Sequence, residues 1–249
     1  MSEKNSTMFF VGCTIAYSYP RAAQLMTKIL AEFGVKYGTF DDEPCCGGIL
    51  FKIGQTKEAE EKVKKNIAYF KNLGIKRIIT NCPECYLAFK KEYLKIDPSF
   101  DKEIEILHYT TFIANLIREK KIVFEKEVPI KATYHDPCEL GRHMEIYEDP
   151  RFIIKSIPGI EFKELKRNLE YTQCCGGPIR IPYVQLRNIL TQSILKEAKR
   201  NYLITACPAC YYNFRAVKEL LGAKSIPIDL IELVAFALDL TPSLLEENE

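Results

Sequence analysis

Short apolar runs alternate along this chain with segments of helical period. Residues 8–11 and 77–80 are apolar runs of strand length. Between them, residues 22–33 place apolar side chains at i, i+3, i+4 and i+7, which predicts a helix with one buried face that ends at Gly34. Residues 59–70 repeat this spacing and predict a second helix. The pattern of this half is therefore strand, helix, helix, strand.

The second half of the chain repeats the pattern. Residues 132–134 and 202–205 are again apolar runs of strand length. Strands that alternate with helices predict an α/β fold with parallel sheets. The helix between the two runs is marked by Tyr183, Leu186, Leu190, Ile194 and Ala198.

An apolar helix is predicted to close each half, near residues 112–117 and 228–238. The segment 119–128 is short and charged, so we interpret it as the linker. This interpretation divides the chain into a first half, 1–124, and a second half, 125–249.

Composition and charge exclude several classes of protein. Apolar residues make up 47% of the chain, charged residues 27%, and the net charge is +2. That balance leaves no electrostatic footprint for nucleic acid. The N-terminus lacks the profile of a signal peptide, and Asp229 and Glu232 interrupt the apolar stretch near the C-terminus, so we expect no membrane span. We expect a cytoplasmic protein, which is compatible with docking in a membrane-associated complex.

All ten cysteines belong to one pattern that occurs twice: a lone cysteine, an adjacent pair followed by two glycines, and Cys-Pro-x-Cys. Both copies run 69 positions from the lone cysteine to the Cys-Pro-x-Cys, and the second copy starts 125 positions after the first. Because cytosolic thiols stay reduced, metal binding is favoured over disulfides. The copies are Cys13, Cys45, Cys46, Cys82 and Cys85, then Cys138, Cys174, Cys175, Cys207 and Cys210.

Three kinds of site are compatible with this pattern. A redox Cys-x-x-Cys pair needs no further cysteines, and structural zinc takes four ligands, whereas each copy offers five. An iron–sulfur cluster has several irons, so adjacent cysteines can bind different irons of one cluster. The pattern therefore favours two iron–sulfur sites, with a zinc-stabilised binding module as an alternative. Pro83 and Pro208 predict that each Cys-Pro-x-Cys begins a helix after a strand, where open α/β sheets bind ligands.

The sequence resembles the cysteine-rich CCG family, and within it the B subunit of heterodisulfide reductase and the cysteine-rich part of the D subunit. The likeness rests on the two complete cysteine motifs and on residues 135–143, His-Asp-Pro-Cys-Glu-Leu-Gly-Arg-His. It implies two pseudo-symmetric Rossmann-like halves. Each half would hold one noncubane [4Fe-4S] cluster through all five cysteines of its copy.

The same resemblance implies an oxidoreductase subunit of a heterodisulfide-reductase-like complex, which reduces or forms a disulfide. Electrons would pass through a ferredoxin-like iron–sulfur subunit and a flavin subunit. Longer relatives carry a ferredoxin-like domain, and since nothing before Cys13 can encode one, we expect it on a separate chain. The alternative is a non-catalytic electron-transfer subunit of a lactate-, glycolate- or quinone-linked dehydrogenase complex.

Residues around Cys138 are the candidates for proton transfer. Cleaving a disulfide needs a proton for the departing thiolate, and His135 and Glu139 lie beside this cysteine. Relatives often carry His where this chain has Glu139, so the resemblance supports the cofactor more strongly than the substrate. Arg142 and His143 are expected to have surface or packing roles. His108, at a predicted strand end, is expected to be structural.

Overall fold

Two parallel β-sheets, one in each half, form the framework of the computed structural model, which describes residues 6–179 and 182–245. The first half contains β1 Thr7–Phe10, α1 Cys13–Ser18, α2 Pro20–Glu32, α3 Gly48–Lys52, α4 Thr56–Asn72, β2 Arg77–Thr80, α5 Pro83–Leu87, a π-helical segment Ala88–Glu92, α6 Tyr93–Ile96, α7 Phe100–Glu103, β3 Glu105–His108 and α8 Tyr109–Arg118. The second half contains β4 Lys131–His135, α9 Glu148–Ser156, β5 Glu161–Phe162, a 3-10 turn Leu169–Tyr171, α10 Val184–Glu197, β6 Tyr202–Thr205, α11 Pro208–Leu221, β7 Ile226–Asp229 and α12 Leu230–Ala237.

Strand order follows one plan in both sheets. The first sheet runs β1-β2-β3 and the second β5-β4-β6-β7, and every neighbouring pair is parallel. Where β5 lies beside β4, the first half has a single parallel bridge between Met8 and Gly38. The predicted α/β fold with two repeated halves and parallel sheets is therefore confirmed.

Helix α2 forms where the apolar spacing predicts it. Its residues Leu25, Met26 and Ile29 are buried on one face, and Gly34 lies just past its end with a φ of 64°. Glycine adopts this left-handed conformation at little cost, so the chain can turn here towards the rest of the sheet. None of the helices in the described ranges is both long enough and apolar enough to cross a membrane.

Helix α10 forms as predicted, but its apolar face is shorter than the spacing suggests. Tyr183, just before the helix, is 63% exposed and Leu186 is 48% exposed, whereas Ile194 and Leu195 are buried. Only the C-terminal half of α10 reaches the apolar cluster that it forms with β6 and α11. Periodicity alone cannot show where a helix runs past its supporting core.

The last helix of each half packs on the other half: α8 lies against α9, and α12 lies against α2. One apolar core runs through both halves. The predicted linker, 119–128, has no helix or strand, and its residues Ile122, Phe124 and Val128 are buried against this core. The division at 124 and 125 therefore stays a prediction, and it falls within a segment that is held in place.

Buried polar side chains lie at the contacts that α8 and α12 make between the two halves. Asp229 accepts a hydrogen bond from the amide of Ile231 at 3.0 Å, and Tyr109 of α8 donates to the same carboxylate oxygen at 3.1 Å. Glu232 completes the capping box of α12 and lies 3.3 Å from Nε of Arg21 on α2. Burial raises the pKa of Asp229 to about 7 and the pKa of Glu232 to about 8.

We predict that these two carboxyl groups make the protein less stable as the pH rises. Their ordinary pKa values are 3.8 and 4.5, so between those values and about 7 and 8 the folded chain binds more protons than the unfolded chain. Stability is then greatest below this window and is lost as the pH rises through the folded pKa values, by up to about 1.4 kcal/mol per pH unit and proton.

Urea unfolding of the unchanged protein and of Glu232→Gln across this pH range measures the effect. Glu232→Gln removes one of the two carboxyl groups that titrate in this range. The free energy of unfolding of the variant should therefore rise with pH relative to that of the unchanged protein. A difference that is constant with pH would contradict the prediction.

Candidate metal centres

The two Cys-Pro-x-Cys motifs lie at the carboxyl ends of β2 and β6. Each strand leads through one residue into a cysteine that caps the next helix, Cys82 before α5 and Cys207 before α11. Pro83 and Pro208 occupy the first turn of these helices, as predicted. Free amides at such positions favour thiolate over thiol.

The first lone cysteine is presented by a turn that requires glycine. Gly12, between β1 and Cys13, has a φ of 75° and a ψ of 151°, a conformation that is essentially restricted to glycine. The Glu43 carboxylate accepts hydrogen bonds from the amides of Val11 and Gly12, both at 2.8 Å. These bonds pin the turn to the loop that carries the first cysteine pair.

The second lone cysteine, Cys138, follows β4 and is supported differently. Asp136 forms two hydrogen bonds with the guanidinium of Arg151, at 2.6 and 2.9 Å, and both side chains are buried. The carbonyl of Asp136 also accepts a hydrogen bond from Thr172 at 3.0 Å, which ties this turn to the loop before Cys174. A buried, doubly hydrogen-bonded ion pair holds the turn in one geometry.

The cysteine pairs lie on loops whose carbonyls are held by buried side chains. In the first half, Asn66 donates to the carbonyl of Cys45 at 2.9 Å and Tyr93 donates to that of Cys46 at 3.1 Å. In the second half, different side chains hold the loop of the cysteine pair. Thr191 and Asn213 both donate to the carbonyl of Cys175, at 2.8 and 3.1 Å.

The cysteines of each copy are brought together. In the second half, Sγ of Cys138 lies 3.8 Å from Sγ of Cys174, and Sγ of Cys210 lies 3.0 Å from Sγ of Cys175. In the first half, hydrogen bonds link Cys13 to Cys45, Cys45 to Cys46, and Cys85 to both Cys46 and Cys82. The five thiols of each copy thus form one continuous series of neighbours. No three His, Cys, Asp or Glu side chains within residues 6–179 and 182–245 are arranged around a single ion position.

Each group has an inner and an outer part. Three cysteines of each copy are buried and two are reachable from solvent. The reachable ones are in both cases the lone cysteine and the first of the adjacent pair. The buried ones are Cys46, Cys82 and Cys85 in the first half and Cys175, Cys207 and Cys210 in the second.

Crowding divides the thiols into proton donors and acceptors. Hydrogen bonds from Cys13 and then from Cys46 lower the pKa of Cys45 to about 2. The bond to Cys45 raises the pKa of Cys13, because Cys13 is the donor. In the same way, Cys138 lowers the pKa of Cys174 to about 2, while its own pKa is raised. Five thiolates this close would repel one another, so full deprotonation of either group requires bound cations.

An orphaned amide lies beside the first group. Asn81, directly before Cys82, is 3% exposed, and both polar atoms of its side chain lack a hydrogen-bond partner within the described chain. Buried polar groups without partners are rare. Hydrogen bonds to cluster sulfurs are a common feature of iron–sulfur sites, and Asn81 offers such a donor. The five thiols and this amide fit an iron–sulfur cluster.

The two predicted proton donors have different surroundings. His135 ends β4, is 1% exposed, and its ring packs edge-on against Phe214 with 5.0 Å between centroids. Burial lowers the pKa of His135 to about 4, so the ring is neutral at neutral pH. Glu139 is 9% exposed, and one of its carboxylate oxygens pairs with Lys52 of the first half. Both assignments stay predictions.

Lys52 is a site residue that the sequence analysis missed, as it missed Glu43 and Asn81. The Lys52 ammonium pairs with Glu84, which lies between Cys82 and Cys85, as well as with Glu139. The sequence carries many lysines, and nothing in the spacing of this one distinguishes it. Only the meeting of the two halves brings it between the cysteine groups.

The remaining candidates behave as expected. Arg142 and His143 are exposed, and Arg142 donates to the carbonyls of Glu170 and Thr172. Burial, followed by nearby cations, lowers the pKa of His143. His108 is structural: its ring accepts a hydrogen bond from the amide of Thr110 and caps α8.

Comparison with known proteins agrees with this geometry. The cysteine-rich domain family called CCG matches the chain twice, over residues 7–90 and 132–215. The D subunit of dihydromethanophenazine:CoB–CoM heterodisulfide reductase from Methanosarcina barkeri is 33% identical over 98% of this chain. The EtfAB:quinone oxidoreductase of Syntrophomonas wolfei is 31% identical over 82% of this chain and 30% of its own length.

This chain spans 61% of the length of the Methanosarcina barkeri protein. Among solved structures, glutamate racemase isoform RacE1 from Bacillus anthracis aligns over 96% of this chain and 82% of its own, at 11% identity and a TM-score of 0.41. A likeness this distant carries no argument about chemistry.

We predict that Gly12→Ala disturbs the first group of thiols, whereas Gly74→Ala does not. A methyl group on Gly12 would lie 3.1 Å from Sγ of Cys85, whereas one on Gly74, which also has a positive φ, would meet nothing within 4 Å. Both changes place a methyl group on a residue with positive φ and strain the backbone, by about 1–3 kcal/mol each, and Gly12→Ala should cost more because its conformation is essentially restricted to glycine. Only Gly12→Ala should also lower the metal bound per chain after reconstitution, by roughly half if one of two clusters is lost.

Metal analysis and urea unfolding of both variants provide the measurement. Equal metal content in the two variants would mean that the close approach of Gly12 to Cys85 does not matter for binding.

Proposed function

The chain belongs to the CCG family of cysteine-rich domain proteins, and we propose that it is the iron–sulfur subunit of a heterodisulfide-reductase-like oxidoreductase complex. One observation carries this proposal. Two matched sets of five cysteines gather at the carboxyl ends of two equivalent parallel sheets, with three thiols buried and two reachable in each set.

The proposed cofactor is one noncubane [4Fe-4S] cluster in each half. A cluster distributes its thiolate ligands over several irons, so it accommodates an adjacent cysteine pair that would crowd a single zinc ion. The orphaned Asn81 amide supports a cluster in the first half. The ligands would be Cys13, Cys45, Cys46, Cys82 and Cys85, and Cys138, Cys174, Cys175, Cys207 and Cys210.

The proposed chemistry is the interconversion of a disulfide and two thiols. Reduction breaks one S–S bond and consumes two electrons and two protons; formation of the disulfide is the reverse. When bound, the clusters would supply or accept the electrons one at a time. Glu139, directly after the reachable Cys138, is the proposed proton carrier for a departing sulfur, and buried His135, three residues before this cysteine, is the second candidate.

The proposed partners are a ferredoxin-like iron–sulfur subunit and a flavin subunit of the same complex, in the cytoplasm or docked to a membrane-associated partner. The alternative is an electron-transfer subunit of a quinone-linked complex, which the likeness to EtfAB:quinone oxidoreductase favours. Adding disulfides to the reduced protein while recording its EPR spectrum separates the two. A cluster signal that no disulfide changes would favour the alternative.

We predict about eight irons and a similar amount of sulfide per chain after anaerobic reconstitution, as expected for two four-iron clusters. Cys46→Ser and Cys175→Ser should each lose roughly half of this iron, because each removes a buried ligand from one set only. Iron and sulfide analysis measures both. Tight zinc without iron would instead support a zinc-stabilised binding module.

We predict that Glu139→Ala or His135→Ala slows turnover of a cognate disulfide by roughly 10- to 10⁴-fold, the range typical for loss of a group that takes part in proton transfer. Iron content should stay normal. Glu170→Ala is the control and should keep full activity, because Glu170 is exposed and binds Arg142 through its backbone carbonyl, which the substitution keeps. Full activity in both test variants would refute the assignment, and loss of iron would show a structural role instead.

A further inference from the structure

We infer that Lys52 is a positioning residue that couples the two cysteine sites electrostatically, by holding one acidic side chain from each of them. The inference rests on the proposed function, in which both sites hold redox clusters, and it adds a link between them that neither half contains alone.

The geometry of Lys52 places a single ammonium group between the two sites. Lys52 is the last residue of α3, the short helix that begins directly after the first cysteine pair and its glycine. Its Nζ contacts Oε2 of Glu84 and Oε1 of Glu139. Glu84 lies within the first Cys-Pro-x-Cys, and Glu139 directly follows Cys138. The bridge therefore joins ligand-bearing segments of both halves.

The surrounding structure is built for this bridge. A methyl group on Gly48 would collide with the Glu84 carboxylate, so the glycine leaves room for it. The second oxygen of Glu139 is buried and has no hydrogen-bond partner among the described residues. Its carboxylate therefore depends on Lys52 for compensation, since an unpaired buried charge is costly.

Partial burial strengthens the electrostatic interaction of Lys52 with the groups around it. The side chains of Lys52, Glu84 and Glu139 are 25%, 24% and 11% exposed, so water screens them less than it screens a surface pair. Lys91 and Arg142 also lie near enough to act on His143, but among the residues that the structure describes Lys52 is the cation that contacts an acid of each site.

A shared cation has a definite effect on redox behaviour. Adding one electron to a cluster without a proton adds one negative charge, and a nearby ammonium stabilises that state. Because the same ammonium serves both sites, its removal should lower the reduction potential of both clusters. Removing one of the acids should act in the opposite direction, on its own site directly and on the other site through the ammonium that it leaves.

Potentiometric titration of the reconstituted protein, followed by EPR, tests the inference. Lys52→Met should shift the potentials of both clusters to more negative values, while Lys52→Arg, which keeps the charge, should stay close to the unchanged protein. Lys90→Met is the matched control, because the Lys90–Asp101 pair has similar exposure, 28% and 24%, and Asp101 adjoins neither cysteine group. It should leave both potentials unchanged.

The outcomes separate this inference from the proposed function. A Lys52→Met protein with unchanged potentials, with a shift at one cluster only, or with the same shift as Lys90→Met would overturn the coupling and leave the clusters standing. If Lys52→Met loses iron, Glu139→Gln decides, because it leaves the Lys52 ammonium to Glu84 and the first site alone: a shift of both clusters to more positive potential supports the bridge, and a shift of the second cluster alone or no shift refutes it. An unchanged protein that binds no iron would refute the proposed function itself.

Discussion

Mutual repulsion among closely spaced thiolates is the constraint on which the rest of this structure depends. Each half brings five cysteines to one edge of a sheet, and hydrogen bonds among them lower the pKa of Cys45 and Cys174 while raising that of Cys13 and Cys138. Such a group is stable with all thiols deprotonated only when cations share the charge. The fold supplies the rest: strand ends, helix N-termini and a glycine turn that direct the thiols to one place.

The two halves are held together because the last helix of each packs against the other half. Because α8 packs on α9 and α12 packs on α2, neither half has a complete surface of its own. Buried groups at this junction also contact each other across it: Tyr109 donates to Asp229, and Arg21 lies beside Glu232. This packing thus fixes the position of one cysteine site relative to the other.

The two sites share a plan but not their surroundings. Beside the first site, Glu43 accepts hydrogen bonds from two backbone amides. Beside the second site, Asp136 forms an ion pair with Arg151. The helix after the first Cys-Pro-x-Cys passes into a π-helical segment, while its counterpart α11 is continuous. The two halves therefore share the cysteine pattern and most of the strand order, whereas the contacts that support the cysteines differ.

The sequence by itself determined the repeat, the α/β alternation, the positions of most strands and helices, and the two groups of five cysteines, because each depends on local spacing or on residue type. It missed the exposure of Tyr183 and Leu186, since helical period does not reveal where a core ends. It gave no sign that residues 119–128 are packed, that His135 is buried and neutral, or that Lys52 meets Glu84 and Glu139. Only the tertiary structure decided these, because burial and ion pairing between distant segments depend on how the two halves meet in space.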